Sequence, residues 1–167
     1  MRELVLIIAA ACLVVSGDAA LAAESDAAKT LATVRQCLET AADDPRSCIG
    51  IVSNPCQDEP DGSSTQGVDA CLGSETEAWD VLLNERYATT LETAKEIDAD
   101  RKAADDESAV AADDLVKAQR AWIAYRDAEC DRLYEVAKDG TIRTNVASAC
   151  QLEMTATRAI DLGDDQY

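Results

Sequence analysis

Apolar residues recur at helical spacing over most of the 167-residue chain. Residues 74–139 contain neither Gly nor Pro, and Trp79, Leu83 and Tyr87 follow one another at intervals of four. This interval places the three side chains on one face of a helix, and the lack of helix-breaking residues favours long helices. No segment alternates convincingly between apolar and polar residues, so we predict no sheet. The expected fold class is all-α.

Four helices account for this pattern. The second is expected to begin at Ser74, because Ser74 and Glu77 have the spacing of a capping box. A turn is expected at 98–107, where acidic residues gather, and another around Gly140, which should adopt the left-handed conformation that often ends a helix. The predicted helices are 25–42, 74–97, 108–138 and 144–162. We therefore expect a small antiparallel bundle of about four helices, with a Pro- and Gly-rich loop after the first.

The aromatic residues are concentrated on the second and third helices. At helical spacing, such side chains form a hydrophobic core more often than a sugar-binding platform. We therefore assign them to the core, and expect Trp79 and Trp122 to lie close together because both are nearly equidistant from the turn. The expected inward face of the third helix consists of Leu115, Ala118, Trp122, Tyr125, Ala128 and Val136.

The first 22 residues have the features of a secretion signal. Arg2 precedes the apolar run 4–15, and Ala20-Leu21-Ala22 resembles a small-residue cleavage site. The run is shorter than the roughly 20 residues that span a bilayer, so we expect no stable membrane insertion after cleavage. The protein is therefore expected to be periplasmic or secreted. Residues 23–73, an N-terminal helix and Cys-rich loop, and 74–167, a helical domain, should form one globular unit.

Six cysteines remain after the predicted signal sequence, which is typical of three disulfides in a small exported domain. Cys130 and Cys150 lie ten residues on either side of Gly140, so an antiparallel hairpin places them level with each other. We therefore expect them to be bonded. For the other four we favour a bond between Cys48 and Cys56, nested within one between Cys37 and Cys71.

Charge and composition narrow the range of functions. The chain has 15 Lys and Arg against 33 Asp and Glu, a net charge of −18, which becomes −17 without residues 1–22. This acidity argues against nucleic-acid binding and favours a basic protein partner. The chain has no His and no phosphate-binding glycine loop. Among so many carboxylates, pairs arise by chance, so a pair does not identify a glycoside-hydrolysing site. We therefore predict no enzyme, no cofactor and no metal site.

The run Gln119 to Cys130, QRAWIAYRDAEC, resembles the signature of the LprI-like lysozyme-inhibitor family. The resemblance covers roughly residues 70–162. The chain departs from the family pattern in two places: Asp139-Gly140-Thr141 stands where the family often has two glycines, and residues 37–66 lie largely outside the pattern. Upstream Cys71-Leu72 and Leu83, and downstream Cys150, Thr155 and Leu162, also match. The remaining motif residues, which we interpret as structural, are Trp79, Asp80, Asn84, Tyr87, Gln119, Arg120, Trp122, Tyr125, Arg126, Asp127 and Arg158.

The resemblance implies an exported α-helical domain, and inhibition of lysozyme is its implied activity. A structural or adaptor role in the cell envelope is the alternative, and a glycan-cleaving enzyme comes third. Arg126 and Asp127 are adjacent on one helix, so we expect that they do not face each other and that they pair with neighbouring helices instead of with a substrate. The loop between Cys37 and Cys71 is a candidate contact, because disulfides that order it in advance lower the entropy cost of binding.

Overall fold

A computed structural model describes residues 15–106 and 108–164, with side chains from residue 26 onward. Helix α1 spans Val15–Thr40, a 3-10 helix Pro45–Cys48, α2 Ser53–Gln57, α3 Thr65–Ala103, α4 Ala111–Val136 and α5 Arg143–Asp164. Within these ranges there is no strand. The all-α prediction is confirmed, with five α-helices in place of about four. Residues 1–14 of the predicted signal sequence lie outside the described residues.

Helix α3 begins nine residues before the predicted start at Ser74. Ser64 is its N-cap, and the Ser64 hydroxyl accepts a hydrogen bond of 3.0 Å from the backbone N–H of Gly67. This cap satisfies a free amide of the first turn, so the helix begins at Thr65. Ser74 therefore lies inside the helix, and the predicted capping box of Ser74 and Glu77 is wrong. The expected turn at 98–107 is present, although α3 continues to Ala103.

Left-handed backbone occurs at Gly50, with φ of 91°, and at Asp105, with φ of 56°. Gly140 does not adopt it, so that prediction is wrong. Helix α4 instead ends at Val136, where the backbone N–H of Ala137 donates to the carbonyls of Leu133 and Glu135. The chain then reverses before α5.

The core lies mainly between α3 and α5. Ala156 and Ala159 are fully buried, and these small side chains allow α5 to lie close to α3, around the fully buried Trp79. Helix α1 adds Val34 to the same core. Thr30 lies beside Ser74 and Arg35 beside Glu85, so residue numbers rise in the same direction along α1 and α3. Among the long helices, α5 also runs in the direction of α3, and only α4 runs against the others, which corrects the prediction of an antiparallel bundle.

The inward face of α4 differs from the predicted one. Tyr125 is 61% exposed and Val136 73% exposed, and Ala118 and Ala128 are also exposed. The buried residues of this helix are Gln119 and Cys130, with Trp122 and Arg126 half-buried. The helix is rotated from the expected orientation because Gln119 and Arg126 have hydrogen-bonding partners on α5.

Two glycines of α3 are expected to respond to alanine in opposite directions. A Cβ atom at Gly67 would lie 2.1 Å from the Asp61 carbonyl oxygen, whereas nothing lies within 4 Å of one at Gly73. Gly67→Ala should therefore lower the free energy of unfolding by about 2 kcal/mol through overpacking. Gly73→Ala should raise it by about 0.5–1 kcal/mol, because alanine favours helix. Chemical denaturation measures both; a gain at Gly67 would contradict this packing.

Candidate functional site

Three disulfides join the described cysteines. Cys130 and Cys150 are bonded, with Cα atoms 5.5 Å apart, as the symmetry of the α4–α5 hairpin suggests. The nested arrangement favoured for the other four is wrong, because Cys37 bonds to Cys48 and Cys56 to Cys71. The 3-10 helix Pro45–Cys48 returns the chain to the end of α1, and α2 places Cys56 against α3. Each bond therefore ties one side of the loop to a long helix.

A buried carboxylate holds the middle of the same loop. Glu75 of α3 is fully buried, and both its carboxylate oxygens accept hydrogen bonds. The donors are the backbone N–H groups of Gly50, at 2.7 Å, Val52, at 3.0 Å, and Ser53, at 2.6 Å, and the indole Nε1 of Trp79, at 3.0 Å. Hydrogen bonds to an ionised acceptor are stronger than neutral ones, and here they replace the lost hydration of the carboxylate. Glu75 therefore fixes the path of residues 50–53.

Gly50 is needed for this arrangement. Its φ of 91° is disfavoured for any L-residue, and a Cβ atom there would lie 2.5 Å from the side-chain nitrogen of Asn54. Beside it, Ile51 is 40% exposed. The segment 41–64, here called the stapled loop, thus combines two disulfides, a buried carboxylate anchor and an exposed surface.

The central sequence motif forms a cluster between α4 and α5. The guanidinium of Arg126 lies 5.1 Å, and that of Arg158 6.0 Å, from the ring centre of Trp122. Arg158 also donates to the Gln119 side-chain oxygen at 3.0 Å, and Arg126 to the Thr155 hydroxyl at 3.4 Å. Stacking and hydrogen bonding therefore allow two cations to be held between the helices. This arrangement stabilises the α4–α5 interface.

The other motif residues are divided between core and surface. Arg126 donates from Nε to the Asp127 carboxylate at 3.0 Å, so the expectation that these neighbours would not meet is wrong; the long guanidinium bends back along the helix. Asn84 donates to Asp80 on the same helix. Tyr87 is half-buried against the core, whereas Arg120 and Tyr125 are exposed. Trp122 packs against the core that contains Trp79.

Asp98 fastens the far end of α3 to α4. Its carboxylate accepts hydrogen bonds from the backbone N–H groups of Ala111, at 2.8 Å, and Ala112, at 3.0 Å. The Ala112 hydrogen bond is the largest cause that holds the pKa of Asp98 below its ordinary value. Asp98 is therefore ionised at neutral pH and caps α4 from outside the helix, and this stabilisation is lost as the pH falls through the lowered pKa.

Within the described ranges 15–106 and 108–164, no group of three or more His, Cys, Asp or Glu side chains is placed so that it could hold a metal ion.

An open groove of about 390 Å³ between α1 and α3 is lined by Leu38 and Leu82. On its rim, Arg35 and Glu85 form a salt bridge of 2.7 Å. Arg86, which also lines the groove, donates to the Ala159 carbonyl of α5, so both arginines of the groove are engaged within the protein. In the described segments, no helix is long and apolar enough to span a membrane.

Comparison with known proteins identifies the family. The family model described as "Lysozyme inhibitor LprI" matches residues 56–162, which include α3, α4 and all but the last two residues of α5. The chain belongs to the LprI lysozyme-inhibitor family. The resemblance inferred from the QRAWIAYRDAEC run is thereby confirmed. The matched region of this LprI-family chain includes the Cys56–Cys71 and Cys130–Cys150 disulfides and Glu75, whereas α1 and the Cys37–Cys48 bond lie before it.

A relative from Rhizobium meliloti (strain 1021) is an uncharacterized protein, 31% identical over 118 residues. The alignment covers 69% of the LprI-family chain and 85% of that relative. No solved structure matches the chain. The comparisons therefore establish the family of this chain and the helical region that carries it.

Proposed function

We propose that this protein is an exported inhibitor that binds a basic lysozyme and acts by binding instead of by catalysis. The match of residues 56–162 to a lysozyme-inhibitor family carries the proposal. The net charge of −18 supports it, because an acidic protein attracts a cationic enzyme over long range. The three disulfides support a location outside the cytoplasm, either periplasmic or secreted, where such bonds persist.

The stapled loop is the part of the chain that we assign to the lysozyme contact. An inhibitor that fills a substrate cleft gains affinity when its contact segment is already ordered, because less conformational entropy is lost on binding. Two disulfides and the hydrogen bonds to Glu75 supply this order. The loop also carries exposed carboxylates at Asp58, Glu59 and Asp61. An acidic segment that is ordered in advance suits a cleft in a basic enzyme.

Inhibition should depend on the fold and not on acidity alone. We expect the oxidised protein to inhibit cell-wall lysis by a basic lysozyme at about 0.15 M salt, where exposed charges are screened over about 8 Å. Reduced and alkylated protein has nearly the same charge but no stapled loop, and should be at least tenfold weaker. The measurement is the rate of turbidity loss of a cell-wall suspension at increasing inhibitor concentration.

The salt series distinguishes the proposal from its alternatives. Inhibition by the oxidised protein should weaken as salt rises but persist at about 0.15 M, because contacts of shape remain when surface charge is screened. Equal potency of the oxidised and alkylated forms would show non-specific polyanion binding. No inhibition by either form would contradict the proposal and favour a structural or adaptor role in the envelope.

A further inference from the structure

Two large aliphatic side chains are exposed at the α4–α5 connection. Val136, the last residue of α4, is 73% exposed, and Ile142, just before α5, is 57% exposed. Isolated exposed aliphatic residues are common on protein surfaces. These two differ because they lie at one turn, six residues apart, where Cys130–Cys150 and the Arg143 hydrogen bonds hold the hairpin.

The same connection lies against the beginning of α3. Asn145, three residues after Ile142, donates to the Thr65 carbonyl at 2.8 Å, and Ser148 donates to Asp69 at 2.9 Å. Thr65 directly follows the stapled loop. The end of that loop packs against the first turn of α3, because a Cβ atom at Gly67 would meet the Asp61 carbonyl oxygen. Val136, Ile142 and the last part of the stapled loop therefore occupy one end of the molecule, here called the hairpin end.

At the hairpin end, the acidic and the basic side chains differ in whether they have partners. Asp58, Glu59 and Asp61 of the loop and Asp139 of the turn are exposed, and none of them forms an ion pair within the described part of the chain. The nearby cations are engaged. Lys138 pairs with Glu135 at 2.7 Å, and Arg143 donates to the Tyr134 hydroxyl at 3.0 Å. Exposed carboxylates without an ion-pair partner among the described residues therefore lie at the same end of the molecule as the two exposed aliphatic side chains.

We propose that the hairpin end is the docking surface for the cationic enzyme, with Val136 and Ile142 as apolar anchors and the loop carboxylates as an acidic rim. This inference rests on the proposed function and names the surface that performs it. An apolar centre with a polar rim is the usual composition of a protein interface. The acidic rim specifies the chemistry of the partner, a basic protein with an apolar crevice, and guides its approach.

Replacing the anchors tests the proposal directly. Val136→Gln/Ile142→Gln should weaken binding to a basic lysozyme at least tenfold, as measured by calorimetry at about 0.15 M salt, because burial of two aliphatic side chains is lost. The matched control is Val81→Gln/Ile123→Gln, which changes the same residue types at sites that are 42% and 40% exposed elsewhere. The control should change the Kd less than twofold, and thermal denaturation should show both variants folded.

A second pair of variants tests the acidic rim. Asp58→Asn/Glu59→Gln/Asp61→Asn should slow association with lysozyme about tenfold at low salt, with a smaller effect at high salt. The control Glu96→Gln/Asp100→Asn/Asp113→Asn removes the same residue types and charge from exposed sites on α3 and α4. If each docking-surface variant and its control have equal effects, the docking surface is wrong, whereas the proposal that the protein inhibits lysozyme still stands. A lack of binding by the unmodified protein would overturn both proposals.

Discussion

Glu75→Gln is expected to lower the free energy of unfolding by about 3 kcal/mol, although it removes no apolar contact and changes the side-chain volume little. The carboxylate accepts four hydrogen bonds, from three backbone amides of the loop and from Trp79. A glutamine side chain has one acceptor oxygen, and its NH2 group would face backbone N–H groups that are also donors. At least one buried amide would be left without a partner.

The change should appear as a decrease of about 10 °C in Tm, measured by circular dichroism at neutral pH. Glu77→Gln is the matched control, because Glu77 is exposed on the same helix two residues later. The control should alter stability by no more than about 0.5 kcal/mol. If the two substitutions have equal effects, Glu75 does not anchor the loop.

A double-mutant cycle with Trp79→Phe isolates one of the four hydrogen bonds. Phenylalanine keeps an aromatic ring in the core but removes the Nε1 donor that reaches Glu75 at 3.0 Å. If the contact exists, Trp79→Phe should destabilise the Glu75→Gln background less than the unmodified protein, by about 1 kcal/mol. Additive effects would contradict the contact.

Local signals in the sequence were sufficient for the helical framework. The long interval without Gly or Pro contains α4 and most of α3, and the acidic stretch after Ile97 includes the turn between them. The level positions of Cys130 and Cys150 about Gly140 also correspond to their bond. Each of these features depends on helical rise and spacing within one hairpin, so a pattern over neighbouring residues contains the necessary information.

The anchor at Glu75 depends on contacts that such patterns do not contain. Its donors in the loop lie 22 to 25 residues earlier, and they are backbone amides, which every residue except proline possesses. The only local signal is the spacing of four residues between Glu75 and Trp79, which permits the indole hydrogen bond. The disulfide pairing failed for a related reason: the 3-10 helix Pro45–Cys48 folds the loop back earlier than a nested arrangement requires.

The orientation of α4 was predicted incorrectly because the pattern weighed hydrophobicity alone. The apolar pattern predicts Tyr125 and Val136 in the core, yet both are exposed, while Gln119 is buried and Arg126 half-buried. A polar side chain can lie inward when a partner satisfies it, here Arg158 for Gln119. Leu115 and Trp122 of the predicted stripe therefore pack against the core, Tyr125 and Val136 face solvent, and the motif residues Gln119 and Arg126 face α5.

Trp122→Ala should consequently lower the free energy of unfolding by about 3 kcal/mol. The substitution removes a large aromatic side chain from the edge of the core, and it removes the ring on which two arginines stack. Arg126 and Arg158 would remain between α4 and α5 without that contact. Tyr125→Ala, three residues later, should cost no more than about 0.5 kcal/mol, because Tyr125 is 61% exposed. Urea denaturation of both variants decides the orientation of α4. A larger loss at Tyr125 than at Trp122 would return Tyr125 to the core and reverse the face assigned to the motif.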